Sequence, residues 1–166
     1  MVKRFIAILL IIPCLFGCAY SVYSNAYPYL KRVQLMALDN KSTEFGLGDI
    51  VYNTLSDTLR IDGRLRQVTQ QPDCQISGSI LSYTEKIFSY DEANSVQDYQ
   101  ITITFSITFT DLKNNQVLYD NKSLPLSEVY AVGPGSTSRF KTKQDCIREI
   151  CYKLFRNIMQ NTLETW

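Results

Sequence analysis

A strict alternation of apolar and polar residues over positions 99–110 is the feature that most constrains how this chain can fold. Tyr, Ile and Phe occupy the odd positions, while Gln, Thr and Ser occupy the even ones. Because successive side chains of a β-strand point to opposite faces, the pattern predicts one strand with a buried face and a polar face. At about 3.4 Å per residue this strand runs roughly 40 Å.

Weaker patterns predict further strands on either side of it. Alternation predicts strands over residues 30–38 and from Asp73 onward, the latter with a bulge near Tyr83. Residues 65–68 predict a short strand, and residues 116–124 pair back across a turn at residues 111–115. Polar residues 39–42 predict a turn, residues 89–98 a hairpin loop, and residues 127–141 a mobile loop.

Two helices complete the predicted fold. Apolar residues at three- and four-residue spacing predict one helix from Ser42 or Thr43 to about Arg60. Thr142 and Asp145 resemble a capping box at the start of a last helix. The order β-α-β-β-β-α predicts an α+β fold, in which two helices pack on one face of a four-stranded, mostly antiparallel sheet as a two-layer sandwich.

The N-terminus has the pattern of a secretory signal peptide. Lys3 and Arg4 precede an apolar run that ends at Gly17 and Cys18, and this run is too short to span a membrane. The pattern looks like a lipobox, so Cys18 would carry a diacylglyceryl group and an N-acyl chain; an ordinary signal with a chance cysteine is the alternative. Ala19 in place of aspartate favours the outer membrane. The expected organisation is a signal peptide (1–17), a lipidated tether (18–29) and a single domain (30–166).

Composition narrows the function. The chain has no histidine, which removes histidine-dependent nucleophiles and histidine metal ligands, and we expect no cofactor apart from the lipid on Cys18. Seventeen basic and sixteen acidic residues give no excess charge for nucleic acid. The adjacent carboxylates of Asp91 and Glu92 have no identifiable acid–base partner, and the glycine-rich residues 133–135 lack the context of a phosphate-binding loop.

Three further cysteines follow the tether. Cys74 has the parity of the apolar residues of its strand, and Cys151 lies in the apolar stripe of the last helix with Cys146 at its flank. If that helix lies over the second strand, which carries Cys74, then Cys74 and Cys151 could pair in an oxidising periplasm. Buried free thiols are the equal alternative.

At the level of the whole domain, the sequence resembles the LptE family of lipopolysaccharide-assembly lipoproteins. The resemblance is carried by residues 17–20 at the lipidated start, by residues 33–40, 62–64 and 73–80, by the long alternating strand, and by the closing helix at 147–166. It implies an outer-membrane lipoprotein on the periplasmic face, not an enzyme. Such a protein plugs an LptD-like β-barrel, helps it assemble, and assists the placing of lipopolysaccharide in the outer leaflet.

Several candidate contacts remain open beside this resemblance. Lys86, Arg139, Lys141 and Lys143 could meet lipid A phosphates, although such residues are more often solvated surface. The threonine-rich strand face could contact the wall of a barrel lumen or simply face solvent. There are two alternative functions. The protein could be a pilotin-like lipoprotein that escorts a secretin, or a hydrolase with a Ser-Lys mechanism.

Overall fold

The protein is described by a computed structural model, which covers residues 26–164. Three long antiparallel strands form the centre of its sheet, and short parallel strands extend it on one side. The sheet order is β3-β1-β4-β5-β6, and β2 also pairs with β4. The elements are β1 (Arg32–Leu35), β2 (Asp39–Asn40), α1 (Leu47–Asp62), β3 (Arg66–Gln67), β4 (Cys74–Tyr90), β5 (Val96–Asp111), β6 (Gln116–Ala131) and α2 (Lys143–Thr162).

The predicted α+β class with two helices is confirmed, but the strand count is wrong. Within residues 26–164 the sheet has six strands rather than four, because β2 and β3 add to the four strands of the predicted order. Asp39 and Asn40, predicted as part of a turn, pair in parallel with Ser79 and Ile80 of β4. The short strand predicted at residues 65–68 is present as β3, which pairs with β1 and forms one edge of the sheet.

Strand β5 has the two faces that its alternation predicts. Its inner residues are fully buried and form the centre of the core: Ile101, Ile103, Phe105, Ile107 and Phe109. The intervening hydroxyl side chains stay half-buried. Along β4 the register shifts between Ile80 and Ser82, which confirms the predicted bulge and explains why its alternation drifts.

The two helices cover the inner face and run in the same direction. Lys143 at the start of α2 pairs with Glu44 just before α1, and Arg64 just after α1 pairs with Glu164 after α2. The predicted apolar stripe of α2 is buried, and Cys146, predicted at its flank, is buried as well. Thr142 caps α2 by accepting a hydrogen bond from the backbone N–H of Asp145 at 3.1 Å.

The predicted cap of α1 is wrong. The helix begins at Leu47 after Gly46 in the left-handed region, with no side chain bonded at the cap. Ser42 is engaged earlier in the chain: it donates to Asn40 Oδ1 and accepts from the backbone N–H of Glu44. These local bonds stabilise a turn, so they compete with helix formation at this point.

The predicted loops are shorter than expected because the strands are longer. β4 and β5 extend to a turn of five residues, 91–95, instead of a loop over residues 89–98. β6 continues to Ala131, so residues 127–131 of the predicted mobile loop are strand. Pro125 lies within β6 opposite Thr104, and β6 is an edge strand, where proline is tolerated.

The three cysteines of the described region are free thiols. Cys74, Cys146 and Cys151 are all buried in the core. Of the two alternatives for these cysteines, the structure has the buried free thiols, and the Cys74–Cys151 disulfide is not formed. Burial raises the pKa of each thiol to about 12.

Between Ala26 and Glu164 no helix combines the length and the apolar content that a membrane-crossing segment needs.

Candidate functional site

One end of the sheet holds the start of the described chain, and we call it the tether end. There the carboxylate of Asp73 accepts the backbone N–H groups of Lys31 and Arg32 and pairs with Arg32 at 2.9 Å and with Lys113 at 3.1 Å. The hydrogen bond from Arg32 is the main cause of a strongly lowered pKa of Asp73; burial opposes it, and Lys113 adds to it. This buried acid therefore fixes the first strand to the β5–β6 turn.

A second acid at the tether end fixes the residues that lead into β1. Asp111 is fully buried and accepts the Tyr29 hydroxyl at 2.6 Å and the backbone N–H of Asn114 at 3.1 Å. Burial alone would raise the pKa of Asp111, but the hydrogen bonds from Tyr29 and Asn114 lower it overall. Close by in sequence, Ala26 N–H donates to the Leu163 carbonyl at 2.9 Å, so the described chain begins beside the end of α2.

The face of the sheet opposite the helices carries small uncharged polar side chains over its centre. Hydrogen bonds tie some of these hydroxyls together, with Thr102 Oγ1 and Ser127 Oγ 2.8 Å apart and Thr108 donating to Asp120 at 3.0 Å. The cross-strand pairs on this face of β4 and β5 are Gln75–Thr110, Ser77–Thr108, Ser79–Ser106, Ser82–Thr104 and Thr84–Thr102. Along β4 and β5 the centre of this face offers uncharged donors and acceptors, and Asp120 of β6 is the charged side chain beside Thr108.

Lys143 lies within an ionic network between the helix starts and the sheet. Its ammonium pairs with Glu44 at 2.9 Å and Glu85 at 3.2 Å and lies 5.0 Å from the ring centre of Tyr83. Glu85 also accepts the hydroxyls of Tyr83 and Tyr130. Burial alone would raise the pKa of Glu85, but the hydrogen bonds from Tyr130, Tyr83 and Lys143 lower it overall. The charge of Lys143 is therefore paired with acidic groups of the same chain.

The other three predicted basic residues do not converge with Lys143 on one site. Lys86 is exposed on β4 opposite Gln100, and it forms no ion pair with any residue of the described chain. Lys141 donates to the Ser136 carbonyl at 3.2 Å. Arg139 stacks 5.1 Å from the ring centre of Phe140 and lines a shallow pocket with residues of both helices.

Sequence reasoning missed a buried acid that holds the loop after β6. Asp98 accepts hydrogen bonds from the hydroxyls of Ser89, Ser136 and Ser138. These bonds, led by that of Ser136, lower the pKa of Asp98. Residues 132–142 are therefore hydrogen-bonded to the β4–β5 hairpin. In the sequence, only the serines of this loop could have indicated the contact.

Sequence reasoning also missed an apolar surface at the other end of the sheet. Ile87, Phe88, Tyr90 and Val132 are 43%, 59%, 54% and 50% exposed, and we call them the distal patch. Tyr90 pairs with Val96 beside the β4–β5 turn, and Val132 N–H donates to the Gln97 carbonyl. The sequence feature that could have indicated this patch is the break in the alternation of β4 near Ile87. A second register shift between β4 and β5 lies at that point.

These features define the class of the protein: a small α+β fold with a firmly held first strand, an open polar sheet face and an apolar far end. Two solved structures share this fold. The hypothetical protein CT253 from Chlamydia trachomatis is 12% identical with a TM-score of 0.54, over 78% of this chain and 94% of that one. The uncharacterized lipoprotein B from Nitrosomonas europaea is 12% identical with a TM-score of 0.50, over 79% and 83%. At such identities the likeness shows the fold alone.

The family is shown by a direct match. The model of the LptE lipopolysaccharide-assembly family matches residues 30–162, and the chain belongs to this family of outer-membrane lipoproteins, which are not enzymes. A search of curated protein sequences found no match. Cys18, the predicted lipidation site, lies outside the described residues.

Proposed function

We propose that this protein occupies the lumen of an LptD-like outer-membrane β-barrel, helps that barrel assemble, and assists the placing of lipopolysaccharide in the outer leaflet. The observation that carries the proposal is the family match over residues 30–162, which spans every described helix and strand. Geometry supports it, because the lumen of a wide barrel is polar and hydrated. The hydroxyl side chains along β4 and β5 on the open sheet face can pack closely against such a wall.

We propose that the lipid on Cys18 holds the protein at the periplasmic face of the outer membrane. A processed lipoprotein carries more than one acyl chain, which is sufficient for stable anchoring. The tether end supports this arrangement, since Asp73 and Asp111 fix the segment that follows the lipidated residues.

Direct contact with lipopolysaccharide is proposed for the basic residues whose charges remain available. Lys86, Arg139 and Lys141 form no ion pair within the described chain, whereas Lys143 is shared between Glu44 and Glu85. Charge-assisted hydrogen bonds to phosphate are strong, so replacing Lys86 by Ala should weaken binding of purified lipopolysaccharide. Lys122→Ala is the matched control, because Lys122 is 79% exposed but paired with Asp120. Equal binding by the two variants would remove Lys86 from the contact.

Depletion of the protein in its native cell tests the assembly role. We expect the amount of correctly assembled LptD-like barrel to fall and the outer membrane to become permeable to large antibiotics. Loss of a secretin with an unchanged LptD-like barrel would contradict the proposal and favour a pilotin-like role.

A further inference from the structure

Basic side chains gather at the sheet side of the tether end. Lys31 and Arg66 are exposed, and neither forms an ion pair with any residue of the described chain. The backbone N–H of Arg66 donates to the Lys31 carbonyl at 2.7 Å, and Arg66 pairs with Arg32 across the β1–β3 ladder. Three cationic side chains therefore lie side by side where the sheet begins.

A fourth cation joins them, and the acids packed beneath them are buried. Lys113, in the β5–β6 turn, shares the carboxylate of Asp73 with Arg32. Asp73 and Asp111 are buried, whereas the four cationic side chains reach solvent. Four cations above two buried carboxylates leave an excess of two positive charges. We call these four side chains, at positions 31, 32, 66 and 113, the basic surface.

The helix side of the tether end has the opposite balance. Asp62 and Glu164 both pair with Arg64, which leaves one negative charge there. Asp57 is exposed on α1 and pairs with Arg60. An anionic partner would therefore contact the sheet side of this end and not the helix side.

Apolar side chains accompany the basic surface. Tyr29 and Leu112 are each 39% exposed, and Leu112 lies in the same turn as Lys113. The Lys113 ammonium lies 6.0 Å from the ring centre of Tyr29 and donates to the Tyr29 carbonyl at 3.1 Å. Tyrosine and a leucine beside lysine and arginine are typical of protein surfaces that lie at the headgroup level of a membrane.

The tether determines which end of the sheet can stand on the membrane. Ala26 is held to Leu163 at the tether end, and it follows the anchor proposed at Cys18 by eight residues. Eight residues span at most about 28 Å when fully extended. The 16 residues of β5 span roughly 50 Å, so a domain standing on its far end would hold Ala26 beyond this reach. The same short tether keeps the basic surface at a high local concentration beside the lipid.

We propose that the basic surface rests on anionic phospholipid headgroups of the leaflet that holds the anchor, and that this contact orients the domain before a protein partner binds. The inference rests on the lipid anchor that we propose at Cys18 and adds a second membrane contact beside it. Ammonium and guanidinium groups form charge-assisted hydrogen bonds with phosphate. Each basic residue near an anionic surface favours contact by about fivefold.

Two matched turn positions report which end lies at the membrane. Asn115 in the β5–β6 turn and Asn94 in the β4–β5 turn are exposed and have similar left-handed backbones, with φ of 53° and 62°. Each is changed to cysteine in the full lipidated chain and labelled with nitrobenzoxadiazole, because the three cysteines of the described region are buried. The protein is placed in vesicles of phosphatidylcholine alone or mixed with phosphatidylglycerol. A lipid with a nitroxide on its headgroup quenches probes at the surface.

We expect the Asn115 probe to be quenched about twofold more than the Asn94 probe in vesicles with phosphatidylglycerol, and no more than it in phosphatidylcholine alone. About 1 M salt should remove the difference, because it shortens the Debye length to about 3 Å. Equal quenching of the two probes in every vesicle overturns the inference. A difference that persists in phosphatidylcholine, or that requires lipopolysaccharide in place of phosphatidylglycerol, also overturns it.

These outcomes leave the proposed barrel role standing, because the vesicles contain no barrel. Failure of the wild-type chain to float with the vesicles overturns the anchor at Cys18, and the inference with it.

Removal of two charges tests the same contact. Lys31→Gln combined with Arg66→Gln should lower the ratio of docked to undocked protein about thirtyfold. Lys122→Gln combined with Arg148→Gln is the matched control, since it removes the same charge from two exposed side chains outside the tether end. Urea unfolding checks that both double variants are folded. Unchanged quenching of the Asn115 probe in the first variant, or an equal loss in the control, would contradict the contact, and the salt titration tests it without any substitution in the basic surface.

Discussion

Gly78 lies where two long strands approach each other too closely for a side chain. It pairs with Ile107 in the half of the β4–β5 ladder that is nearer Cys74, and a Cβ atom built on Gly78 would lie 2.0 Å from the carbonyl oxygen of Ser106 and 3.1 Å from Cα of Ile107. Both obstacles are backbone atoms, so the clash can be relieved only if the strands move apart. That movement would disturb the fully buried side chains of Phe105 and Ile107.

We expect Gly78→Ala to lower the free energy of unfolding by about 3 kcal/mol, the upper part of the range for overpacked cores. For a domain of this size that corresponds to a fall in Tm of roughly 6–12 °C. The assay is urea and thermal unfolding of the purified protein, followed by far-ultraviolet circular dichroism.

Gly48→Ala is the control with the opposite expected sign. A Cβ on Gly48 would lie 3.6 Å from the Leu38 carbonyl oxygen, which is ordinary contact, and Gly48 lies in the first turn of α1. Alanine is up to about 1 kcal/mol more favourable than glycine in a helix, so this variant should be equally or more stable. If Gly78→Ala unfolds at the same urea concentration as the wild type, the pairing of β4 with β5 described here is wrong.

Four other expectations follow from the core, the tether end and the lipobox. Phe105→Asp should abolish folding and with it barrel binding, because it leaves a charge at the centre of the core; a folded variant by circular dichroism would refute this. The lowered pKa of Asp73 means that its stabilisation is complete above the unfolded-state pKa, about 3.9, and is lost as the pH falls through the folded-state value; Asp73→Asn should cost about 1–3 kcal/mol at pH 7 and reduce this acid sensitivity in urea titrations. Cys74, Cys146 and Cys151 should resist iodoacetamide at pH 8 until urea is added, and rapid native alkylation would contradict their burial. Cys18→Ala should prevent incorporation of labelled palmitate, and a wild-type chain that takes up none would end the anchoring argument.

The parts of the fold that the sequence could predict are those with long, regular patterns. The twelve alternating residues at 99–110 determine the faces of β5, and the stripe from Ile147 to Ile158 determines the buried face of α2. Each pattern repeats often enough that a single exception cannot hide it. The inner face of β4 was harder to predict, because its bulges reverse the parity of the residues that follow.

The errors arise where tertiary contacts override local signals. The glycine-rich residues 133–135 favoured a loop from Ser127 onward, yet pairing with β5 extends β6 to Ala131. Asn40 is typical of a turn, but the edge of β4 that does not face β5 pairs with it at Ile80, a long-range contact that the sequence does not show. The same limit applies to the candidate surfaces. Asp98 and Ser136 are 38 residues apart, and only the folded chain brings them together.

Purification of the protein from its native membranes in mild detergent, through a tag after Trp166, tests the central claim most directly. An LptD-like barrel should be recovered with the wild-type protein in a stable one-to-one complex and should be missing with Phe105→Asp. Recovery of a secretin, or of the wild-type protein without any barrel, would contradict the account.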